Sequence, residues 1–287
     1  MRLKDALKDK IPENLLDLVP SSFDIVGSRG KAVAILEIEE PLLPYARTIA
    51  EELMRIHKSV RAVYRKVGGR VGEYRLRELE LIAGEPISEV IHKEHGYLLK
   101  LDVTKVYFSP REATERQRVA SKVQPGEIVM VMFAGVGPFA IAIAKAQPLV
   151  QRIIAIELNP DAYRYLVENV ALNKLEGKIV PVLGDVREKA PEFRGCCNRV
   201  VMPLPKGAYM FLDEAIECLT GAGTLHFYYW GPEEKAFEEG FEHVRRAALR
   251  HRCSAELLEA RVVSPYAPRI YKVAIDARIE CPERPSS

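Results

Sequence analysis

A glycine turn after an apolar run is the part of this sequence whose residue types most directly suggest chemistry. The run Val129 to Phe133 leads into Ala134-Gly135-Val136-Gly137-Pro138, and Glu157 ends the next apolar run. Glycines in such a turn let the backbone approach a ligand closely, and a carboxylate at the end of the next strand can accept hydrogen bonds from a ribose diol. The pattern predicts a strand, a ligand-binding loop and a helix that begins at Pro138, which together form a nucleotide-type pocket.

Two classes of cofactor fit this pattern. Gly135-x-Gly137-x-x-Ala140 also matches the dinucleotide fingerprint of NAD-dependent dehydrogenases. Pockets for S-adenosylmethionine use the same strand, turn and ribose acid, but they bind no pyrophosphate and therefore tolerate Pro138 and Phe139. After the next apolar run, Gly184-Asp185 supplies a carboxylate for the exocyclic amine of adenine. Each acid alone is equally well explained as a turn or strand-end residue, but the three features in order favour S-adenosylmethionine.

Length and composition indicate a globular enzyme with one large domain or two smaller ones. The 287 residues are 48% hydrophobic and 29% charged, with a net charge of +2. The first residues are charged and no apolar run is long enough to span a bilayer, so neither a signal peptide nor a membrane span is predicted. We expect a cytoplasmic protein with no membrane partner.

The cysteines and histidines predict no metal site. The five cysteines are odd in number and form no Cys-x-x-Cys pair, and we interpret Cys196 and Cys197 as reduced packing residues beside a core strand. His92 and His95 have a spacing that suits metal ligands, but no companion cysteine or histidine lies near them.

Basic residues are concentrated in two stretches. From Arg55 to Arg77 there are eight Lys and Arg residues against Glu73 alone, with Tyr64 and Tyr74 among them. A second cluster runs from Arg245 to Arg252. Either stretch alone fits a solvated face of a helix or strand. Together they favour a polyanionic partner, for which RNA fits best because phosphates and bases would meet cations and aromatic rings.

The first 100 residues predict a small mixed α/β domain. Its predicted elements are a helical lead-in that ends at Pro20, strand 31–38, helix 44–57 and strands 62–67, 87–92 and 97–103. We place the boundary near residue 100, so that 1–100 form the small domain, 101–281 the larger one and 282–287 a tail.

Tyr107-Phe108-Ser109-Pro110-Arg111-Glu112 marks the start of a helix. The serine suits the cap position, the proline suits the first helical position, and the glutamate completes a capping box. Glu115 and Arg116 therefore lie in the second turn of an anchored helix. By spacing alone, Glu115 and Arg118 would form part of a salt-bridged face.

Strands and helices then alternate, and the chain closes with a hairpin. The predicted strands are 128–133, 153–157, 179–183, 199–202, 224–229, 256–263 and 270–279, and the helices begin at Pro138, after Asn159, near 208 and near 233. The predicted fold class is α/β: a doubly wound, Rossmann-like sheet with a C-terminal antiparallel hairpin. This arrangement is expected of S-adenosylmethionine methyltransferases and is unusual for NAD domains.

Four motifs together resemble the archaeal and eukaryotic tRNA guanine-N1 methyltransferases, which modify guanosine 37, immediately 3′ of the anticodon. The motifs are Tyr107-Phe108-Ser109-Pro110-Arg111 with Glu115-Arg116, Phe133 to Phe139, Glu157-Leu158-Asn159-Pro160 and Gly184-Asp185. The resemblance covers nearly the whole chain. It implies an S-adenosylmethionine site lined by Tyr107, Arg116, Phe133, Gly135, Glu157, Leu158, Asp185, Val186 and Pro203.

The resemblance also implies a catalytic pair. Arg75 lies in a segment that looks like the one supplying the family's catalytic arginine, and Glu115 matches its general base. The chemistry agrees, because guanine N1 carries a proton at neutral pH and must lose it to become a nucleophile. A base at N1 and a cation near O6 are the minimal set. The guanosine would be flipped out of its loop to reach them.

Two positions depart from the family pattern. Val131 stands where an aspartate is usual, and Met202-Pro203-Leu204-Pro205 stands where the family has Asn-x-Pro, so Pro203 offers no side-chain amide. A related branch transfers an aminocarboxypropyl group during wybutosine synthesis and also lacks the asparagine. Glu115, Arg75 and Pro205 favour methyl transfer over that reaction. A non-catalytic RNA-binding module is the alternative from another class.

The resemblance completes the expected partners. The substrate is tRNA, and a monomer is expected. Family members often carry an extra N-terminal module, for which this sequence leaves too little chain, so a short form that reads the anticodon region is expected. Assistance by Mg²⁺ held through the RNA is left open.

Overall fold

The computed structural model describes residues 2–28, 30–71, 74, 76–204 and 206–282. The chain divides into two compact units, Met1–Ala113 and Thr114–Ser287, whereas the sequence patterns place a boundary near residue 100. Within the described residues, no helix has both the length and the apolar character needed to cross a membrane.

The first unit contains a four-stranded sheet in the order β1-β2-β3-β4 and a separate two-stranded hairpin. β2 and β3 are parallel, while β1 pairs with β2 and β3 with β4 in antiparallel fashion. Its elements are α1 (Leu3–Ala6), β1 (Asp24–Ser28), β2 (Lys31–Leu36), α2 (Ala46–Ile56), β3 (Val60–Val71), β4 (Leu76–Gly84), β5 (Glu89–Glu94) and β6 (Tyr97–Asp102), with 3-10 turns at Glu13–Leu18, Glu40–Tyr45 and Pro110–Glu112.

Helix α2 connects the parallel strands β2 and β3, and it closes the core of this unit. Its apolar side chains Ile49 and Leu53 are fully buried in one cluster with Leu36 and Val63 of the sheet. β4 was not predicted, because its sequence is rich in charged residues. It is held by pairing with β3, in a register that brings Arg65 opposite Glu80.

The second unit contains a seven-stranded sheet in the order β12-β13-β11-β10-β7-β8-β9. Its strands are β7 (Ile128–Val131), β8 (Arg152–Glu157), β9 (Ile179–Leu183), β10 (Cys197–Met202), β11 (Leu219–Pro232), β12 (Ser254–Ala267) and β13 (Ile270–Glu280). Its helices are α3 (Ala113–Lys122), α4 (Pro138–Ala146), α5 (Pro160–Leu172), α6 (Val186–Lys189), α7 (Leu212–Cys218) and α8 (Ala236–Arg250), with 3-10 turns at Ala190–Phe193 and Ala208–Phe211.

Neighbours among β7 to β11 are parallel, while β13 runs antiparallel to β11 and β12 antiparallel to β13. The prediction of a doubly wound sheet that ends in an antiparallel hairpin is therefore confirmed. Parallel strands covered on both faces carry continuous apolar runs, and Met130, Met132 and Val200 are fully buried accordingly. β11 begins at Leu219, five residues earlier than the predicted 224, because Leu219 pairs with Cys197 of β10 and pairing with β13 begins at Ala222.

Two predicted helix starts have different outcomes. Asn159 caps α5 by accepting a hydrogen bond from the N–H of Asp161 at 3.0 Å, as predicted. The capping box at Ser109 is wrong, since the Ser109 side chain makes no capping hydrogen bond and a 3-10 turn begins at Pro110 instead. The proline fixes φ at the first helical position, and this local constraint starts the helix without a side-chain cap.

A disulfide between Cys253 and Cys281 joins the start of β12 to the end of β13. The sequence did not reveal this pair, because only the closing of the hairpin brings the two cysteines together. Cys196, Cys197 and Cys218 are free thiols, in agreement with the interpretation of Cys196 and Cys197 as reduced. Burial raises the pKa of the Cys218 thiol to about 12.

We predict that removing this disulfide destabilises the protein. The bond closes a loop with a sequence separation of 28 residues, and the entropy removed from the unfolded chain by a loop of that size corresponds to about 3–4 kcal/mol. The double variant Cys253→Ser and Cys281→Ser should lower the free energy of unfolding by that amount in urea denaturation. Cys196→Ser is the matched control at an exposed free thiol, and equal effects of the two changes would contradict the prediction.

Candidate cofactor pocket and active site

The glycine turn after β7 is joined to the end of β8 by a hydrogen bond. The N–H of Gly135 donates to Oε2 of Glu157 at 2.7 Å. Gly135 and Gly137 have φ of 58° and 93°, values that glycine adopts without strain. A Cβ on Gly137 would lie 2.6 Å from Cδ1 of Leu166. The turn therefore needs glycine both for its backbone conformation and for its packing against α5.

Glu157 is the centre of this edge of the sheet. Besides Gly135, the N–H of Asn159 donates to its Oε1 at 2.8 Å, and the backbone oxygen of Glu157 accepts from the N–H of Gly184 at 3.0 Å. Burial raises the pKa of Glu157, and the backbone hydrogen bonds oppose that rise only in part. A ligand with vicinal hydroxyls would add donors to this carboxylate and stabilise its ionised form.

The loops after β9 and β10 complete the edge with aromatic and basic side chains. Asp185 caps α6 by accepting from the N–H of Arg187 at 2.7 Å. Phe133 meets Phe211 edge to face at 4.9 Å, and the Arg187 guanidinium lies 4.1 Å above the Phe211 ring. Phe133 has φ of 57°, which is unusual for a bulky residue and typical of functional loops.

Phe211 and Arg187 were not identified from the sequence. Arg187 lies two residues after Asp185 in the sequence. Its contact with the Phe211 ring depends on the position of the 3-10 turn Ala208–Phe211, which contains that ring. This turn follows β10, the strand next to β7 in the sheet. The two rings and the guanidinium could line the face of a planar ligand.

The other residues predicted to line the cofactor site differ from one another in burial and in position along the chain. Val186 is buried in the core, and Leu158 and Pro203 are half-buried after β8 and β10. The chain turns tightly at Pro203, where the N–H of Leu204 donates to the oxygen of Met202 at 2.7 Å. Tyr107 belongs to the first unit and is 46% exposed. Arg75 and Pro205 lie outside the described residues.

Glu115 lies on α3 and is only 5% exposed. Arg118 donates to both of its oxygens, from Nε to Oε2 at 2.9 Å and from Nη2 to Oε1 at 2.7 Å, and the Tyr228 hydroxyl donates to Oε1 at 2.7 Å. The Tyr228 ring lies 6.1 Å from the ring of Phe139, which follows the glycine turn in the first turn of α4. Tyr228 therefore links Glu115 to the helix that starts at the predicted pocket.

The predicted salt-bridged pair of Glu115 and Arg118 is present, but it is buried and not on a solvated face. The neighbouring Arg116 is also buried, with 2% of its surface exposed. Two consecutive buried charged residues on one helix are unusual, since charged side chains are rarely fully buried without partners. This part of α3 therefore differs from an ordinary surface helix.

The Arg118 guanidinium continues into a charged network on the C-terminal hairpin. Its Nη1 and Nη2 donate to Asp276 at 2.5 and 3.1 Å, and Nη1 also reaches Glu259 at 3.3 Å. Lys122 contacts the same two carboxylates. The network thus ties one end of α3 to β12 and β13.

His226 extends the network in its neutral form. Arg199 lies 2.7 Å from Nε2 and can only donate, so Nε2 accepts, and the hydrogen on Nδ1 is donated to Asp276 at 2.7 Å. Arg199 also donates to both oxygens of Glu127. Burial lowers the pKa of His226 despite the hydrogen bond to Asp276, which acts to raise it. Burial would raise the pKa of Asp276, but His226, Arg118 and Lys122 together hold it well below its usual range.

Several cations of the two basic stretches are neutralised by neighbouring acids. In the first stretch Arg65 pairs with Glu80, and Lys66 and Arg77 pair with Glu37. In the second, Arg245 and Arg246 share Glu242, and Arg250 pairs with Asp213, whose Oδ1 also lies 2.9 Å from Nε2 of His251. The two stretches of sequence overstate the positive charge of these surfaces. The acids that compensate it lie on other strands or helices, or just before the second stretch on α8.

Across the described ranges, no group of three or more His, Cys, Asp or Glu side chains is arranged to hold a metal ion. His92 instead accepts a hydrogen bond at Nδ1 from the N–H of Gly27 at 3.2 Å.

Comparison with known families agrees with this fold and this arrangement of loops. The sequence profile of the TRM5/TYW2 methyltransferase domain matches residues 90–256, and that of the TYW2 N-terminal domain matches residues 3–87. This chain belongs to the TRM5/TYW2 family of methyltransferases. The first profile covers all four loops of the predicted pocket and the whole of α3.

The relatives include methyltransferases and aminocarboxypropyltransferases. The tRNA (guanine(37)-N(1))-methyltransferase Trm5b of Pyrococcus abyssi is 47% identical over 94% of this chain and 78% of its own length. The tRNA(Phe) (4-demethylwyosine(37)-C(7)) aminocarboxypropyltransferase of Methanocaldococcus jannaschii is 36% identical over 73% of this chain and 82% of its own length.

Solved structures from both groups share this fold. The Trm5b crystal structure from P. abyssi has a TM-score of 0.84 at 46% identity and covers 94% of this chain and 78% of its own. A complex of aTrm5 with tRNALeu has a TM-score of 0.83 at 38% identity and covers 97% and 78%. TYW2 of M. jannaschii in complex with AdoMet has a TM-score of 0.70 at 29% identity and covers 91% and 100%.

We predict that acid destabilises the second unit through His226 and Asp276. The pKa of each is lower in the folded protein than in the unfolded chain, so the unfolded chain binds more protons as the pH falls. The stabilisation that these two groups contribute is therefore fully present above the ordinary pKa of histidine, about 6.5. Below that pH the free energy of unfolding falls by up to about 1.4 kcal/mol per pH unit for each extra proton that the unfolded chain binds. The His226→Gln variant should lose the part of this slope between about pH 6.5 and 5. Urea denaturation of both proteins across that range measures it, and identical slopes would contradict the role of His226.

Proposed function

We propose that this protein transfers a methyl group from S-adenosylmethionine to N1 of guanosine 37 in tRNA. The observation that carries the proposal is the buried Glu115 carboxylate, which is held by Arg118 and Tyr228 beside the helix that begins at the glycine turn. The similarity to Trm5b methyltransferases over 94% of the chain supports the same reaction.

The residues of the predicted pocket fit the cofactor. Glu157 would accept hydrogen bonds from the ribose hydroxyls, which suits a carboxylate whose present donors are backbone N–H groups. Asp185 would accept from the adenine amine, and Phe133 with Phe211 would face the adenine plane. When bound, S-adenosylmethionine supplies an electrophilic methyl group on a sulfonium. The solved TYW2 complex with AdoMet supports S-adenosylmethionine as the cofactor.

Glu115 and Arg75 would prepare the guanine. Glu115 accepts the N1 proton as the N1 electron pair forms the new bond to carbon, while the positive charge of Arg75 stabilises the negative charge that develops on O6. The proton then passes from Glu115 to solvent. N1 lies on the Watson–Crick edge, so the base is flipped out for reaction. The structure of aTrm5 with tRNALeu supports tRNA as the partner.

Transfer of an aminocarboxypropyl group to a wyosine precursor is the second candidate. The TYW2 N-terminal profile at residues 3–87 favours it, and so does Pro203, which replaces the asparagine of the methylating branch. The 47% identity to Trm5b, against 36% to the aminocarboxypropyltransferase, favours methyl transfer.

The two reactions leave different sulfur products, which gives a direct test. Methyl transfer leaves S-adenosylhomocysteine, whereas aminocarboxypropyl transfer leaves methylthioadenosine. The protein is incubated with S-adenosylmethionine and a tRNA that carries either G37 or the wyosine precursor, and both the modified nucleoside and the sulfur product are identified. N1-methylguanosine with S-adenosylhomocysteine supports the proposal, and methylthioadenosine with the precursor tRNA overturns it.

Cofactor binding should depend on Glu157. The Glu157→Ala variant is expected to weaken S-adenosylmethionine binding by about 1–3 kcal/mol, because it removes the hydrogen bonds that a half-buried carboxylate accepts. Calorimetry with the cofactor alone measures the change. Glu188→Ala, on the exposed side of the neighbouring α6, is the control, and equal affinities of the two variants would remove Glu157 from the pocket.

Methylation should depend on Glu115 as a base. Glu115→Gln is expected to lower the single-turnover rate by about 10²–10⁴-fold while the affinity for S-adenosylmethionine stays nearly constant, because a positioned general base contributes an effect of that size. The control is Glu239→Gln, which alters another carboxylate that accepts a tyrosine hydroxyl hydrogen bond. A Glu115→Gln rate equal to that of the control would exclude the base assignment.

A further inference from the structure

We propose that Tyr228 and Arg118 are positioning residues that hold the Glu115 carboxylate for reaction, with Arg118 itself held by Asp276 of the C-terminal hairpin. The inference rests on the proposed role of Glu115 in methyl transfer. It gives the antiparallel hairpin a part in the chemistry, in addition to its part in closing the sheet.

The carboxylate of Glu115 has a fixed orientation. Three donors occupy its two oxygens: Nε and Nη2 of Arg118 and the hydroxyl of Tyr228. A carboxylate can accept about four hydrogen bonds, so one acceptor position remains for the proton of a substrate. Rotation of the Glu115 side chain would break all three bonds together, which keeps this remaining position in one direction.

Tyr228 is suited to act only as a donor to this carboxylate. Its side chain is fully buried, and burial together with the nearby Glu115 raises the pKa of its hydroxyl well above the ordinary value. The hydroxyl therefore stays protonated under all working conditions. The ring packs near Phe139 in the first turn of α4 and lies 4.8 Å from Nζ of Lys272 on β13. These contacts fix the ring and hence the direction of the hydroxyl.

Arg118 is held from the side opposite Glu115. Asp276 accepts from both of its terminal nitrogens and is itself bonded to His226 and Lys122. Glu259 is a further acceptor on β12. The titratable groups around Arg118 therefore include Glu115 and Lys122 on α3, the neutral His226 on β11, Glu259 on β12 and Asp276 on β13.

Stability alone does not explain so many buried charges. Replacing a buried ion pair by well-packed apolar residues is often neutral or stabilising, because desolvation offsets the attraction between the charges. A network that presents a carboxylate in one orientation is instead the arrangement expected for a reactive group, whose precise placement contributes to rate. Arg118 is the member of this network that contacts Glu115 directly.

The test uses Tyr228→Phe, which keeps the ring and removes only the hydroxyl. We expect the single-turnover methylation rate to fall by about 10–100-fold, the effect of losing one hydrogen bond to a charged group. Affinities for S-adenosylmethionine and tRNA should stay within about twofold, so the change falls on kcat and not on binding.

Tyr229→Phe is the matched control. Its hydroxyl donates to Glu239 at 3.1 Å from the next position on the same strand, so the variant loses a comparable hydrogen bond to a carboxylate away from Glu115. Arg118→Lys is the companion variant. It keeps the charge but cannot donate to both Glu115 oxygens in a fixed plane, and it should also lower the rate with little change in binding.

A double-mutant cycle separates positioning from a general loss of structure. If Tyr228 acts through Glu115, adding Tyr228→Phe to Glu115→Gln should change the rate by less than about twofold, because the two effects are not independent. A full additional loss in the double variant would overturn the inference. A Tyr228→Phe rate equal to that of Tyr229→Phe would also overturn it.

The outcomes distinguish this inference from the proposed function. If Glu115→Gln is slow and Tyr228→Phe is not, Glu115 remains the base and only the positioning role is rejected. If Glu115→Gln methylates at the wild-type rate, the base assignment is rejected and the positioning role with it.

Discussion

The contact between Glu115, Arg118 and Asp276 is the interaction on which the arrangement of the second unit's site depends. Glu115 and Arg118 lie three residues apart on α3, whereas Asp276 lies near the end of the chain on β13. A buried guanidinium between two carboxylates has most of its charge compensated, and each acid accepts hydrogen bonds from a partner fixed by the other. Asp276, on the last strand of the sheet, therefore helps to hold Glu115, which lies more than 150 residues earlier in the sequence, through Arg118.

The pocket edge follows from a different constraint, which is the parallel sheet. Because β7, β8, β9 and β10 are parallel, their carboxyl ends lie at one edge, and the loops after them meet there. Glu157 joins three of these segments through hydrogen bonds with Gly135, Asn159 and Gly184. Phe133 and Phe211 bring in the segment after β10. Backbone donors thus hold the acid in place.

Charge shows how far composition can mislead. The two basic stretches suggested extended cationic surfaces, yet Lys66 and Arg77 share Glu37, and Arg245 and Arg246 share Glu242. Exposed pairs of this kind contribute little to stability, but each reduces the charge available to a phosphate. Recognition of RNA therefore depends on which cations are left unpaired after folding, and a count of Lys and Arg along the chain cannot supply that.

The larger sheet, the glycine turn and the order of the segments that follow its strands could be predicted from the sequence, because apolar runs, Gly137, Pro138 and the Asn159 cap act over a few neighbouring positions. The fold class and the closing hairpin were predicted correctly for this reason. Only the folded structure shows the partners of Glu115, the edge-to-face contact of Phe211 with Phe133, the pairing of β4 and the Cys253–Cys281 disulfide. Each of these joins residues far apart in the chain, and no local pattern records which distant side chain will fill a buried hydrogen bond once the strands have closed.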